Sequence, residues 1–163
     1  HGPIFFKQAR AGENGKPFTM FKLRTMVEGA DQMVAEVLHK SLLKGPVFKI
    51  QNDPRVTPVG RYLRRWGLDE IPQFWNVLKG EMSLVGPRPE EVWIVEQYND
   101  DQRQRLMVKP GLTGPVQVNG RGGLDFDQRL HLELDYLRNY TLLEDLIIVL
   151  KTFSAVLSGE GIA

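Results

Sequence analysis

Apolar and polar positions along the chain change period several times, and each change marks an element. Ile4-Phe5-Phe6-Lys7-Gln8 and Phe18-Thr19-Met20-Phe21-Lys22-Leu23 are rich in strand formers, and Gly12 to Pro17 between them predicts a hairpin with a longer loop. Val27, Ala30, Val34, Val37 and Leu38 recur at helical spacing, predicting a helix over 27–39 that closes before Gly45-Pro46. Val47-Phe48-Lys49-Ile50 reads as a short strand and Asn52-Asp53-Pro54 as a turn. Thr57-Pro58, an N-cap followed by proline, starts a helix through about Trp66, which Gly67 stops. Asp69 sits where a second N-cap belongs, with Ile71, Phe74, Trp75 and Leu78 as the apolar stripe running to Gly80.

Ser83-Leu84-Val85 is strand-like, and Gly86-Pro87-Arg88-Pro89 is a rigid turn into an acidic helix beginning Glu90-Glu91. Pro110 to Gly123 is glycine-rich and carries one predicted strand, Val116-Gln117-Val118. Two helices, near 126–139 and 143–157, close the chain. The class is α+β: a helix-rich single domain with a small antiparallel sheet or hairpin and amphipathic helices, expected to be membrane-facing.

The 163 residues suffice for one domain with a real core. With no cysteine, a disulfide scaffold, a cysteine-ligated zinc and a cysteine nucleophile are excluded. The longest aliphatic run, Leu146-Ile147-Ile148-Val149-Leu150, falls far short of the roughly 20 residues of a spanning helix. Residues 1–80 hold 13 Lys+Arg against 7 Asp+Glu, and residues 81–163 hold 8 against 13. This split gives the first half a weak bias toward an anionic partner, or simply two solvated faces that meet in the fold. No basic run exceeds Arg64-Arg65, which disfavours nucleic acid.

Asp69-Glu70 is the first chemical candidate. Acidic residues in a first helical turn are ordinary capping. The same pair can also divide labour, an ionised Asp as nucleophile toward phosphorus and a neighbouring Glu as a magnesium ligand. Arg88 between two prolines is presented from a stiff turn, and its planar fork suits phosphate oxygens. Asn119-Gly120-Arg121 lies in a loop where glycine permits close backbone approach. Lys22 and Arg24 alternate with apolar residues on one strand face, a plain solvent face or the wall of an anion site. Arg61, Arg64 and Arg65 make a basic helix side next to Trp66, either solvated or set against anionic headgroups. His39 and His131 offer no metal-ligand spacing. The 143–157 helix is amphipathic, a pattern shared by core-packing and membrane-facing helices.

Read together, these segments resemble the bacterial sugar transferases, or monotopic phosphoglycosyl transferases. The carrying stretches are Phe18 to Met26, Asp53 to Gly60, Leu68 to Pro89, Lys109 to Gly114 and Gln117 to Arg121. The 22 residues from Leu68-Asp69-Glu70-Ile71-Pro72-Gln73 to Gly86-Pro87-Arg88-Pro89 are the most specific. The resemblance implies that residues 1–163 form a catalytic domain lacking an N-terminal membrane-inserting segment. That segment would place the whole protein at the cytoplasmic face of the bacterial inner membrane.

The reaction implied is transfer of a sugar phosphate from a UDP-sugar to polyprenyl (undecaprenyl) phosphate, initiating exopolysaccharide, O-antigen or related glycoconjugate synthesis. Asp69 would be the nucleophile, forming an aspartyl-phosphosugar intermediate, and Glu70 would hold Mg2+. Arg88, Arg121 and, at a similar motif position, Lys22 would bind phosphate; Arg24 and Asn119 complete the candidate set. Asp135 matches a recurrent acidic position without an assigned role. Gly67 and Tyr140 stand where the family often has Ser and Trp. The expected partners are the nucleotide sugar, polyprenyl phosphate and a membrane surface, with homo-oligomerisation left open. The alternatives are a non-catalytic membrane-surface or assembly module of the same fold, and an unrelated magnesium-dependent nucleotidyl or phosphate hydrolase.

Overall fold

The computed structural model describes residues 2–34, 50, 52–120 and 123–158. The predicted hairpin is present as β1 (Phe5–Ala11) and β2 (Pro17–Leu23), antiparallel with Phe5 opposite Leu23 and Ala11 opposite Pro17. Its loop is a 3-10 turn, Glu13–Gly15, in which Asn14 and Gly15 both adopt positive φ. Residues 28–33 form successive turns; most of the predicted 27–39 helix, His39 and most of the 47–50 strand lie outside the described residues.

Helix α1 (Pro58–Arg65) begins as its sequence dictates: the Thr57 hydroxyl accepts from Gly60 N–H, with proline in the first turn. Gly60 is needed for another reason, because a Cβ there would overlap the Thr25 carbonyl. Gly67 ends the helix at φ 63°, the left-handed conformation that glycine adopts without steric cost. The chain then makes a 3-10 turn, Leu68–Glu70, before α2 (Gln73–Leu78). This corrects the expected N-cap: Asp69 lies inside that turn, buried, and its side chain caps nothing. Pro72 occupies the N-cap position of α2 instead.

Buried Asn76 of α2 fastens the helix to the hairpin. Its Nδ2 donates to Thr19 O and Glu81 Oε2, both at 2.7 Å, and its Oδ1 accepts from Phe21 N–H at 3.2 Å. β3 (Ser83–Val85) then pairs in parallel with β4 (Gly111–Thr113). Between these strands the chain forms short α3 (Val92–Val95), the capping-box helix α4 (Asp100–Arg103) and the 3-10 turn Gln104–Met107.

Residues 116–118 are not a strand. They belong to α5 (Pro115–Gly120), where Val118 N–H bonds back to the Gly114 carbonyl. Alternating valines suggest β structure, but proline in the first turn and packing against two neighbouring helices decide the outcome. The last two helices are α6 (Phe126–Arg138), with an Asp125–Gln128 capping box, and α7 (Leu142–Leu157), capped by Thr141.

Among the described residues the core has two small clusters. Ala11, Ile94, Val95 and Tyr98 join the hairpin to α3, and Val85, Tyr136 and Ile148 join β3 to α6 and α7. The described architecture is the α+β class read from the sequence.

Candidate functional site

A cleft opens where β2, the 68–70 turn, the Pro87–Pro89 turn and the start of α5 converge. Its lining includes Arg10, Lys22, Glu70, Gln73, Arg88 and Gln117. Two backbone segments, at Gly86 and at Gly111 to Gly114, meet here at glycines. A Cβ on Gly111 would overlap Gly86 N, and one on Gly114 would overlap Gly86 O. Strand pairing continues through that contact: Gly86 N–H bonds to Thr113 O and Gly111 N–H to Pro87 O.

Glu70 is the centre of charge. Lys22 Nζ donates to its Oε1 at 2.8 Å, and Arg88 Nη2 stands 3.9 Å from the same oxygen. Burial alone would push its carboxyl up, but Lys22, Arg88 and the facing Gln73 carboxamide hold it below its ordinary value. Asp69 behaves oppositely. Burial and the adjacent Glu70 charge raise it, only partly countered by Lys22 and Arg64, and its Oδ1 has no hydrogen-bond partner among the described residues. Two neighbouring carboxylates thus have environments that drive their acidities apart, a pattern typical of residues with different tasks.

Arg88 is held through its own peptide. Its N–H donates to Glu133 Oε1 at 2.8 Å and its carbonyl accepts from Arg105 Nη2 at 2.8 Å. The same Arg105 nitrogen lies 2.6 Å from Glu133 Oε2, an ion pair set off the hydrogen-bond axis, and Arg105 Nη1 lies 3.6 Å from Glu90 Oε1. Burial disfavours the Arg105 charge, but these two carboxylates more than reverse that and keep it protonated. Tyr98, whose hydroxyl also accepts from Arg105, is pushed up to about 12, chiefly by burial.

Of the residues predicted from sequence, Glu70, Lys22 and Arg88 share the cleft lining, and Asp69 lies buried beside Glu70 within reach of the Lys22 charge. Arg24 is not among them. β2 ends one residue earlier, and the Arg24 guanidinium lies against Gly2. Asn119 is exposed on α5 and accepts from Lys151 Nζ at 3.3 Å, away from the cleft. Arg121 lies outside the described residues, and Asp135 is exposed at the end of α6, where it accepts from Asn139.

Three further residues contribute. Arg10 enters the cleft beside Arg88, bonded to Gln8 and to Pro89 O. Arg64, read as part of a basic helix face, turns inward: its Nε donates to Thr25 Oγ1 at 2.9 Å and its charge acts on Asp69. Gln117 is buried in the cleft wall. Strand parity places Arg10 opposite Phe18 in the hairpin, but nothing local to these three residues signals a shared cleft.

Outside the cleft, α7 and α2 expose large apolar side chains, among them Leu142, Leu146, Leu150, Phe153, Trp75 and Leu78. A groove of about 540 Å³ runs between them, lined by Val77, Leu84, Leu146 and Val149 and edged by Lys109. No helix among the described residues is long and apolar enough to cross a membrane.

Two adjacent buried carboxylates, one of them facing Lys22 and Arg88, thus form the charged centre of a small α+β domain. Over residues 1–159 the chain matches the family model described as bacterial sugar transferase, and it belongs to that family. It is 43% identical over 161 residues to galactosyl transferase CpsE of Streptococcus agalactiae, and 43% over 164 to undecaprenyl-phosphate galactose phosphotransferase of Salmonella typhimurium. It is 38% identical over 166 residues to UDP-N-acetylgalactosamine-undecaprenyl-phosphate N-acetylgalactosaminephosphotransferase of Aeromonas hydrophila. Each match covers 98% of this chain but only 36%, 34% and 37% of the respective relative, so the chain spans about a third of their length.

Proposed function

We propose that this domain transfers a sugar phosphate from a UDP-sugar to polyprenyl phosphate in two displacements. An Asp69 carboxylate oxygen attacks the sugar-bearing phosphorus. The bond from that phosphorus to the bridging oxygen breaks, and UMP departs with the electron pair. Asp69 is left as an acyl phosphate carrying the sugar. An oxygen of polyprenyl phosphate then attacks the same phosphorus, breaking the Asp69–phosphorus bond and yielding the diphosphate-linked sugar. The observation that carries this reading is the buried Asp69-Glu70 pair with Lys22 and Arg88 on Glu70 and Arg10 in the same cleft. Phosphoryl transfer needs chiefly positioning and neutralisation of oxygen charge, which this set can supply.

Glu70 is the residue proposed to hold Mg2+. The donor set suits that ion, which commonly takes one or two carboxylates and completes its shell with phosphate oxygens and water. Adjacent Asp69 keeps an unpaired buried oxygen. Bound there, Mg2+ would act as Lewis acid and charge clamp on the diphosphate. Lys22, now spent on Glu70, would be free to swing onto a phosphoryl oxygen. The exposed apolar side chains of α2 and α7 would rest on the membrane surface that carries the lipid acceptor. Relatives of similar identity are named for galactose and for N-acetylgalactosamine, so the sugar is left unassigned.

The test is intact-mass analysis after incubation with a panel of UDP-sugars and Mg2+. Wild type gains the mass of one phosphosugar and Asp69→Asn gains none; an adduct that persists in the variant removes Asp69 from the role.

A further inference from the structure

Gln117 is only 4% exposed, yet neither its Nε2 nor its Oε1 has a hydrogen-bond partner among the described residues. Leaving such a group unpaired is destabilising, so folding alone does not account for a carboxamide here. Its position is well defined. The side chain folds back over Gly114, where a Cβ would come within 3.2 Å of Oε1, and it forms part of the cleft wall with Lys22, Glu70 and Arg88.

Gln117 lines the compartment that this cleft encloses, and chemistry narrows what it can bind there. Phosphoryl oxygens only accept hydrogen bonds, and Arg10, Lys22 and Arg88 already offer them charged donors. A neutral carboxamide adds something those cations lack, an acceptor beside a donor. A hydroxyl satisfies both.

We propose that Gln117 is a substrate-binding residue that takes a hydroxyl of the transferred sugar into this compartment and thereby helps select the sugar. The inference rests on the sugar-phosphate reading above and adds to it a named contact for the sugar itself. Sites built to hydrogen-bond a hydroxyl discriminate strongly, because a ligand lacking it leaves their polar groups unpaired.

The experiment compares Gln117→Met, which keeps length and loses both polar atoms, with Gln117→Leu as a second apolar variant. Both are made in an Asp69→Asn background so that no adduct forms. Equilibrium binding of UDP-glucose, UDP-galactose, UDP-N-acetylgalactosamine and UDP is measured with Mg2+, alongside thermal melting. The expected result is that the best-bound UDP-sugar binds at least about tenfold more weakly while UDP changes less than about twofold. Melting temperature is expected to hold or rise, since an unpaired buried group has been removed.

Equal effects on UDP and UDP-sugar, or no effect on either, overturn the inference; the second would mean that Gln117 only retains a water. A fall in melting temperature, or failure of both variants to fold, assigns Gln117 to structure and overturns it as well. Absence of UDP-sugar binding before Gln117 is changed, with no adduct on wild type, overturns the transferase reading along with it.

Discussion

Arg88 can reach toward Glu70 because its backbone is gripped on both sides, by Glu133 at the amide and Arg105 at the carbonyl. Flanking prolines restrict the turn, and the two buried charges fix where it sits. Removing one member of a buried ion pair strands the other, so Glu133→Leu is expected to lose about 3–5 kcal/mol by urea unfolding. Glu133→Gln keeps an acceptor for the Arg88 amide and is expected to lose distinctly less; equal losses would refute the backbone grip. Asp69, Glu70 and Arg88 stood out in sequence through the stretches that resemble the family, since their residue types alone also fit a capped helix and a surface turn. Glu133 and Arg105 did not, since a charged residue on a helix pattern reads as solvated until its burial is known.

At the scale of elements, the hairpin, α1, α6 and α7 were readable from period and caps, because Thr57-Pro58 and the strand-forming runs act locally. The failures share a physical cause. Val116 and Val118 look like strand residues, but their neighbours in space are helices α6 and α7. Asp69 looks like a cap because caps are the common fate of a first-turn acid, yet the turn at Gly67 delivers it to the interior. Asn76 had no signal at all, although it joins α2 to both Thr19 and Phe21 of β2. Replacing it by Ala removes its hydrogen bonds to Thr19 O, Phe21 N–H and Glu81 Oε2 and leaves a cavity at a fully buried position. A loss of about 2–4 kcal/mol in chemical denaturation is expected, and a loss under 1 kcal/mol would show that the hairpin is held by other contacts.

Across the whole molecule, the basic bias of residues 1–80 acquires a location. Arg10, Lys22 and Arg64 from that half face the cleft or Asp69, while Glu133 and Glu90 from the acidic half neutralise Arg105. The apolar faces of α2 and α7 flank one groove, which argues for a single contact surface. The double variant Leu146→Asp/Leu150→Asp changes two side chains that are more than half exposed. It should keep the wild-type melting temperature while co-sedimenting at least about tenfold less with anionic vesicles. Unchanged sedimentation would take α7 off the membrane.

The turn at Leu68–Glu70 also governs which lengths of chain this domain can accept. In a 3-10 turn each residue advances the direction of its side chain by about 120°, so one residue inserted before Asp69 would turn Asp69 to the present heading of Glu70 and Glu70 to that of Leu68. The hairpin loop at Glu13–Gly15 faces no such constraint, because loop-closure cost grows only with the logarithm of length. Variation in chain length should therefore accumulate at the hairpin tip, while beside the cleft even a single added residue would have to be matched by one removed.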